Sequence, residues 1–199
     1  MTQEEKQAYA LGVAVGANYQ QMGIKIDDIS FSKGFSDVIN GRQPALSEAE
    51  IKQALDSLQD EIEKDGKQQI DVEKEIGRKF LEENKQKPGV QETASGLQYK
   101  IITESIGKKP TATDTVEVHY HGKLLDGTVF DSSVVRGETI EFPLNQVIPG
   151  WTEGVQLMSE GSKFEFYIPS HLAYGDQGAG GAIKGGATLI FEVELFKVK

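Results

Sequence analysis

Hydrophobic spacing changes once along this chain, at Lys87-Pro88-Gly89, and that change restricts the fold more than any other feature. Before it, apolar residues recur every three or four positions, as one face of a helix requires; after it they alternate, as a half-buried strand requires. Proline stops a helix and glycine turns the chain, so the spacing predicts a helical domain over 1–88 and a strand-built domain over 89–199. With one short helix at Pro149 to Met158 against an antiparallel sheet, the fold class is α+β.

The helical half has readable boundaries. Thr2 followed by Glu5 is a capping box, and Ala8, Leu11, Val15, Tyr19 and Met22 form a stripe behind it. A second helix is expected over Phe31 to Ile39, ending near Gly41. A third starts at Ser47, where Glu50 supplies the return hydrogen bond and Leu46 can staple against Ile51. Its stripe runs Ile51, Leu55, Leu58 and Ile62, fades at Asp65 and Gly66, then resumes at Val72, Ile76 and Phe80. A continuous helix of about 40 residues spans roughly 60 Å. Its apolar start is expected to pack on the first two helices, its middle to be solvated, and Gly66 and Gly77 to permit bending. Three such helices make a poor core, which predicts a homodimer through residues 1–60.

Charge narrows the partners. The formal net charge is −10, with 12 basic and 17 acidic residues up to Pro88 and 9 and 14 beyond it. Phosphate binding needs a clustered basic face, so nucleic acid is not an expected partner. Cysteine is absent, which removes disulfides, thiolate catalysis and cysteine-held zinc. The apolar stretch Tyr9 to Ala17 follows Glu4 and Glu5 rather than a basic segment, and no window reaches 18 uninterrupted apolar residues. No membrane partner is expected, and the expected location is the cytoplasm.

Strands are expected over Leu97 to Ile102, Thr115 to His121, Thr128 to Phe130, Thr139 to Phe142, Lys163 to Ile168 and Thr188 to Val198. Alternation is clearest in Phe164, Phe166 and Ile168 and in Leu189, Phe191, Val193 and Leu195, so the sheet has a core face. The run Gly175 to Gly186 lacks the glycine a phosphate loop needs before Lys184 and reads as a flexible loop. No Gly-x-Ser-x-Gly elbow occurs, so acyl transfer has no nucleophile. His119 and His121 share a strand face and, with Val118 and Tyr120 turned to the core, are expected to face water. Without a third ligand beyond the distant His171, neither metal nor cofactor is expected.

Five segments carry the chemistry: Val118-His119-Tyr120-His121-Gly122, Gly127-Thr128-Val129-Phe130-Asp131-Ser132-Ser133, Val147-Ile148-Pro149-Gly150-Trp151, Ala173-Tyr174-Gly175 and Ala187 to Leu195. In order and spacing they closely resemble the FKBP-type peptidyl-prolyl isomerase family over roughly 110 residues, and the helical half more loosely resembles the dimerisation module of its bacterial macrophage-infectivity-potentiator subgroup. The resemblance implies a sheet half-wrapped around a short helix with an apolar site between them. It makes Trp151 the floor and Tyr120, Phe130, Val147, Ile148 and Phe191 the walls. It puts Asp131 at the edge, lets Tyr174 offer its hydroxyl to a substrate carbonyl, and assigns Arg136, Ile140 and Ile183 to the binding set. Ile183-Lys184-Gly185-Gly186 replaces a common Ile-Pro-Pro stretch, Ala179 stands at a commonly aromatic or histidine position, and Ile140 replaces a frequent phenylalanine.

The chemistry suits an apolar list. An amide rotates only by losing resonance, against a barrier of about 18–20 kcal/mol, and the twisted state is less dipolar than the planar one. A dry pocket disfavours the planar form more, so no nucleophile, metal or proton relay is required. The expected activity is X-Pro isomerisation in folding proteins, with chaperone-like gripping of unfolded or proline-containing chains in the dimer cleft. By the same resemblance rapamycin-like macrolides are expected inhibitors, their affinity set by the altered 176–186 loop. Two rival readings are a non-catalytic module that only holds peptides in this pocket and a metal-regulated protein.

Overall fold

The computed structural model describes residues 1–199. They form two compact units, 1–67 and 68–199, which divide inside the long helix.

The first unit contains α1 (Gln3–Gln21), α2 (Asp28–Ile39) and the leading half of α3 (Glu48–Asn84). The caps follow the sequence. Thr2 Oγ1 accepts the Glu5 N–H at 3.2 Å while the Glu5 carboxylate accepts the Thr2 N–H at 2.6 Å. At α3 the Ser47 N–H donates to Glu50 at 2.8 Å and Ser47 Oγ accepts the Glu50 N–H at 3.3 Å. Helix α2 starts ahead of Phe31 because Asp27 caps the Ser30 N–H at 2.7 Å. From its first to its last residue, α3 runs for 37 residues without a break.

The expected packing of α3 on the first two helices is not made. Helix α1 buries no residue, and Leu11, Ile29, Phe35, Val38 and Leu55 are all exposed. The one buried residue of α2 is Asp37, whose carboxylate is held by Lys33 at 2.8 Å and Arg42 at 3.8 Å. The apolar stripes therefore exist as drawn from the sequence, but one chain does not cover them.

The second unit is an antiparallel sheet of β1 (Val90–Glu92), β2 (Gln98–Thr103), β3 (Thr115–Leu124), β4 (Val129–Ser132), β5 (Ile140–Pro143), β6 (Lys163–Ile168) and β7 (Leu189–Val198). Its order is β1-β2-β6-β7-β3-β4, with β5 also paired to β3. A one-turn helix α4 (Ser133–Arg136) follows β4 directly, and α5 (Pro149–Val155) lies on the core face. Alternation buries Val116, Val118 and Tyr120 of β3, Phe164, Phe166 and Ile168 of β6, and Leu189, Phe191, Val193 and Leu195 of β7. A bulge at Phe196 shifts the β3–β7 register between Glu117 and Val118, so Phe196 and Lys197 both face outward and Val198 returns to the core.

Residues 68–84 of α3 belong to this unit. Phe80 packs on Tyr167 at 5.9 Å between ring centroids, covering the outer face of β6. Gln98, fully buried, donates to the Leu81 carbonyl at 2.9 Å and accepts from Asn84 Nδ2 at 3.0 Å. These contacts set the compact boundary at Lys67/Gln68, whereas the change of spacing at Pro88 marks where the helix stops. Gly77 serves a close approach rather than a bend, since a Cβ there would lie 2.2 Å from Thr188 Oγ1.

Candidate active site

Tyr120 comes from β3, Phe130 and Asp131 from β4, Ile140 and Phe142 from β5, Trp151 from α5 and Phe191 from β7. Strand alternation turns Tyr120, Ile140, Phe142 and Phe191 to the face on which α5 lies, and the Val147-Ile148-Pro149 entry to α5 brings two more apolar side chains to its lip. The result is a cavity of about 540 Å³ lined by these residues with Arg136, Gln146 and Tyr174. That is within the range of roughly 300–1,000 Å³ typical of small-ligand pockets.

The floor is Trp151, only 4% exposed. Three rings meet it edge-on: Phe191 at 5.3 Å, Tyr120 at 5.4 Å and Phe142 at 5.5 Å between centroids. Phe130 in turn stands edge-on to Phe191 at 5.4 Å. Edge-to-face pairs of this kind are favourable and fix ring orientation, so the walls are held before anything binds. The Trp151 indole N–H is buried without a partner in the chain.

One side of the cavity is polar. The Tyr120 hydroxyl and the Arg136 guanidinium both donate to the Asp131 carboxylate, and Arg136 also donates to the Tyr120 oxygen at 3.0 Å, closing a triangle. Burial alone would push the Asp131 carboxyl up, but the hydrogen bonds from Tyr120 and Arg136 and the guanidinium charge outweigh it, so the group sits below the usual carboxylate range. Burial, then the hydrogen bond to Asp131, pushes the Tyr120 hydroxyl up.

The triangle depends on α4. Ser132 caps this turn by accepting the Val135 N–H at 3.2 Å, and Ser133 Oγ accepts the Tyr120 N–H at 2.8 Å. His119 Nδ1 lies 3.0 Å from Ser133 Oγ and His121 Nδ1 lies 2.9 Å from Ser132 Oγ. The two histidines are thus half-buried partners of the β4–α4 junction rather than groups facing open water, because the Ser132 and Ser133 hydroxyls lie against them. His171 is elsewhere, 3.0 Å from the Ser95 carbonyl oxygen.

The structure brings together Tyr120, Phe130, Asp131, Arg136, Ile140, Val147, Ile148, Trp151, Tyr174 and Phe191. Tyr174 stands at the rim, 40% exposed. Ile183 does not line the cavity: its backbone bridges to Ala179, and the side chain is buried in the core beside the loop. Phe142 and Gln146 line the cavity although sequence reading passed them over. The signal for Phe142 was available, since it lies two residues after Ile140 on the same strand and must share its face.

An antiparallel sheet packed on one short helix, with an aromatic-floored cavity between them, defines a class of α+β domain built around a small apolar binding pocket. A family model described as FKBP-type peptidyl-prolyl cis-trans isomerase matches residues 107–196, and one described as the domain amino terminal to that isomerase matches 4–101. FkpA of Aeromonas hydrophila, an FKBP-type peptidyl-prolyl cis-trans isomerase, is 46% identical over 98% of this chain and 76% of its own length. The FKBP-type 22 kDa peptidyl-prolyl cis-trans isomerase of Escherichia coli K12 is 43% identical over 99% of this chain and 96% of its own. The crystal structure of FkpA from Escherichia coli superposes with a TM-score of 0.77 at 34% identity, covering 100% of this chain and 97% of that one. The chain belongs to the FKBP-type peptidyl-prolyl cis-trans isomerase family. Within that family it matches both the isomerase model and the model of the domain amino terminal to it.

Proposed function

We infer that this chain accelerates rotation about X-Pro peptide bonds by seating the proline ring on Trp151 and letting the amide twist in the aromatic cavity. The observation that carries this reading is the floor itself: a buried tryptophan held by three ring edges, with an ionised carboxylate at one side. A proline ring in that box binds in a fixed orientation, and the surrounding rings exclude the water that stabilises the planar, more dipolar amide. Once resonance is lost the carbonyl carbon is more electron-poor. The fixed Asp131 carboxylate favours that electron-poor carbon, and the Tyr174 hydroxyl at the rim is proposed to hold the bound peptide by donating to a substrate carbonyl oxygen rather than to drive the rotation. Arg136 and Tyr120 hold Asp131 rather than touching the amide.

Full-length Trp151→Ala and Asp131→Ala are each expected to lose about tenfold in kcat/KM on an X-Pro peptide, the scale of a lost orienting contact. Wild-type rates in both would remove these role assignments. A second reading, peptide holding without catalysis, predicts slower aggregation of an unfolded client but no change in peptide isomerisation rate. The intact Asp131–Tyr120–Arg136 triangle favours catalysis over it.

The exposed stripes of 1–60 support a homodimer, because Leu11, Phe35, Val38 and Leu55 are left uncovered by one chain. Two pockets in one assembly raise effective concentration on a shared unfolded client, which is the proposed chaperone-like role. Rapamycin-like macrolides are proposed as competitors for the same cavity, checked by inhibition of peptide turnover. The cytoplasm is the proposed location, tested by fractionating cells that make the untagged chain.

A further inference from the structure

Residues Ile70, Glu73, Lys74 and Gly77 of α3 fall on one helix face, at the spacing i, i+3, i+4, i+7. That face meets a single object, the loop 175–188. Lys74 Nζ lies 2.6 Å from Asp176 Oδ1 and Lys184 Nζ lies 3.3 Å from Glu73 Oε1, so neighbouring helix residues of opposite charge grip opposite charges at the two ends of the loop. Alongside these pairs the helix and the loop approach closely. A Cβ on Gly186 would lie 2.6 Å from the Ile70 carbonyl oxygen, and one on Gly77 would lie 2.2 Å from Thr188 Oγ1. The loop is not the flexible segment its glycines suggest. Gly186 N–H donates to the Gly175 carbonyl at 2.9 Å, Gly175 N–H donates to Ser170 at 2.8 Å, and Ala179 and Ile183 exchange two bonds across a bridge.

The loop leaves the site at Tyr174 and re-enters it, through Thr188, three residues before Phe191. Phe191 is fixed by pairing with both Gly122 of β3 and Phe166 of β6, whereas Tyr174 has no strand behind it. The helix cannot give either, since Phe80 and Asn84 tie it to the sheet. Of the two cavity residues that flank the loop, Tyr174 is thus the one without strand pairing, and the Gly186–Gly175 bond links it to the end of the loop that α3 touches.

We propose that Glu73, Lys74 and Gly77 are positioning residues for the isomerase site, through which α3 sets the place of Tyr174 at the cavity rim. The inference rests on the proposed isomerisation at this cavity.

The test is kcat/KM on an X-Pro peptide, measured with full-length variants. Gly77→Ala is expected to cost about tenfold, as small displacements of an orienting group do. In a Tyr174→Ala background the same change is expected to cost less than about twofold, because residues acting through one group are not additive. Lys74→Glu is expected to lose about two- to fivefold, the scale of an exposed ion pair, and the exchanged pair Lys74→Glu with Asp176→Lys to recover it. Equal losses from Gly77→Ala in both backgrounds overturn the proposal, as does full activity of Gly77→Ala. Should Gly77→Ala fail to fold, the exchanged pair decides, and absence of rescue overturns it. An inactive wild type removes the proposed isomerisation and this inference with it; an active wild type with additive variants removes this inference alone.

Discussion

Asp131 is the residue whose behaviour follows most directly from its surroundings. Its folded-state carboxyl is depressed, so its ionisation contributes stability that is present above the unfolded value of about 3.9 and is lost as pH falls through the folded value. The Tyr120 hydroxyl is raised, so its contribution is present below an unfolded value of about 10 and is lost only as pH rises through the folded one. The triangle is accordingly expected to stay intact across the neutral range. The acid limb of kcat/KM that belongs to Asp131 should lie below about pH 4 and vanish in Asp131→Asn, checked by a pH–rate profile of both proteins. Most of the site was legible because its side chains sit in short segments whose order and spacing are themselves distinctive. Gln146 was not, since it lies in a 3-10 turn between β5 and α5 with no periodicity to place it. Ile183, which the resemblance put in the binding set, does not line the cavity, because in a loop that departs from the family's common Ile-Pro-Pro stretch its side chain is buried in the core.

Some elements with internal periodicity were read to the residue, whereas α2 begins at Asp28 rather than Phe31 and β3 runs to Leu124 rather than His121. The capping boxes at Thr2 and Ser47 and the whole of β6 stand where the pattern put them. Loss of the α1 cap in Thr2→Ala should cost about 1 kcal/mol of helix stability, seen as earlier thermal loss of helical circular dichroism. The three-residue β1 and the four-residue α4 escaped notice, being too short for any repeat to show. Yet α4 is the element that carries Arg136 and the Ser133 hydroxyl beside His119. The alternation of β7 also misleads beyond Leu195, where the bulge reverses which residues face the core.

For the molecule as a whole, the sequence shows where the helix ends but not which part of it belongs to the sheet. A fragment 68–199 retains Phe80, Leu81 and Asn84 on β2 and β6, while 89–199 exposes Tyr167 and leaves the buried Gln98 without two of its partners. The shorter fragment is expected to be the less stable by several kcal/mol, the sum of a lost aromatic contact and unsatisfied buried polar groups, measurable by urea denaturation. At the other end, Val38→Glu places a charge in the uncovered stripe of α2 and is expected to convert the proposed dimer to a 21.8 kDa monomer in sedimentation, with peptide turnover unchanged. A monomeric wild type at micromolar concentration would remove the dimer itself. The tryptophan beneath the cavity is the single one in the chain. Light absorbed at the red edge of the protein's ultraviolet band is therefore absorbed at the pocket floor and nowhere else, and the intrinsic emission of the unlabelled protein is an optical gauge of whether that floor is wet, dry or occupied.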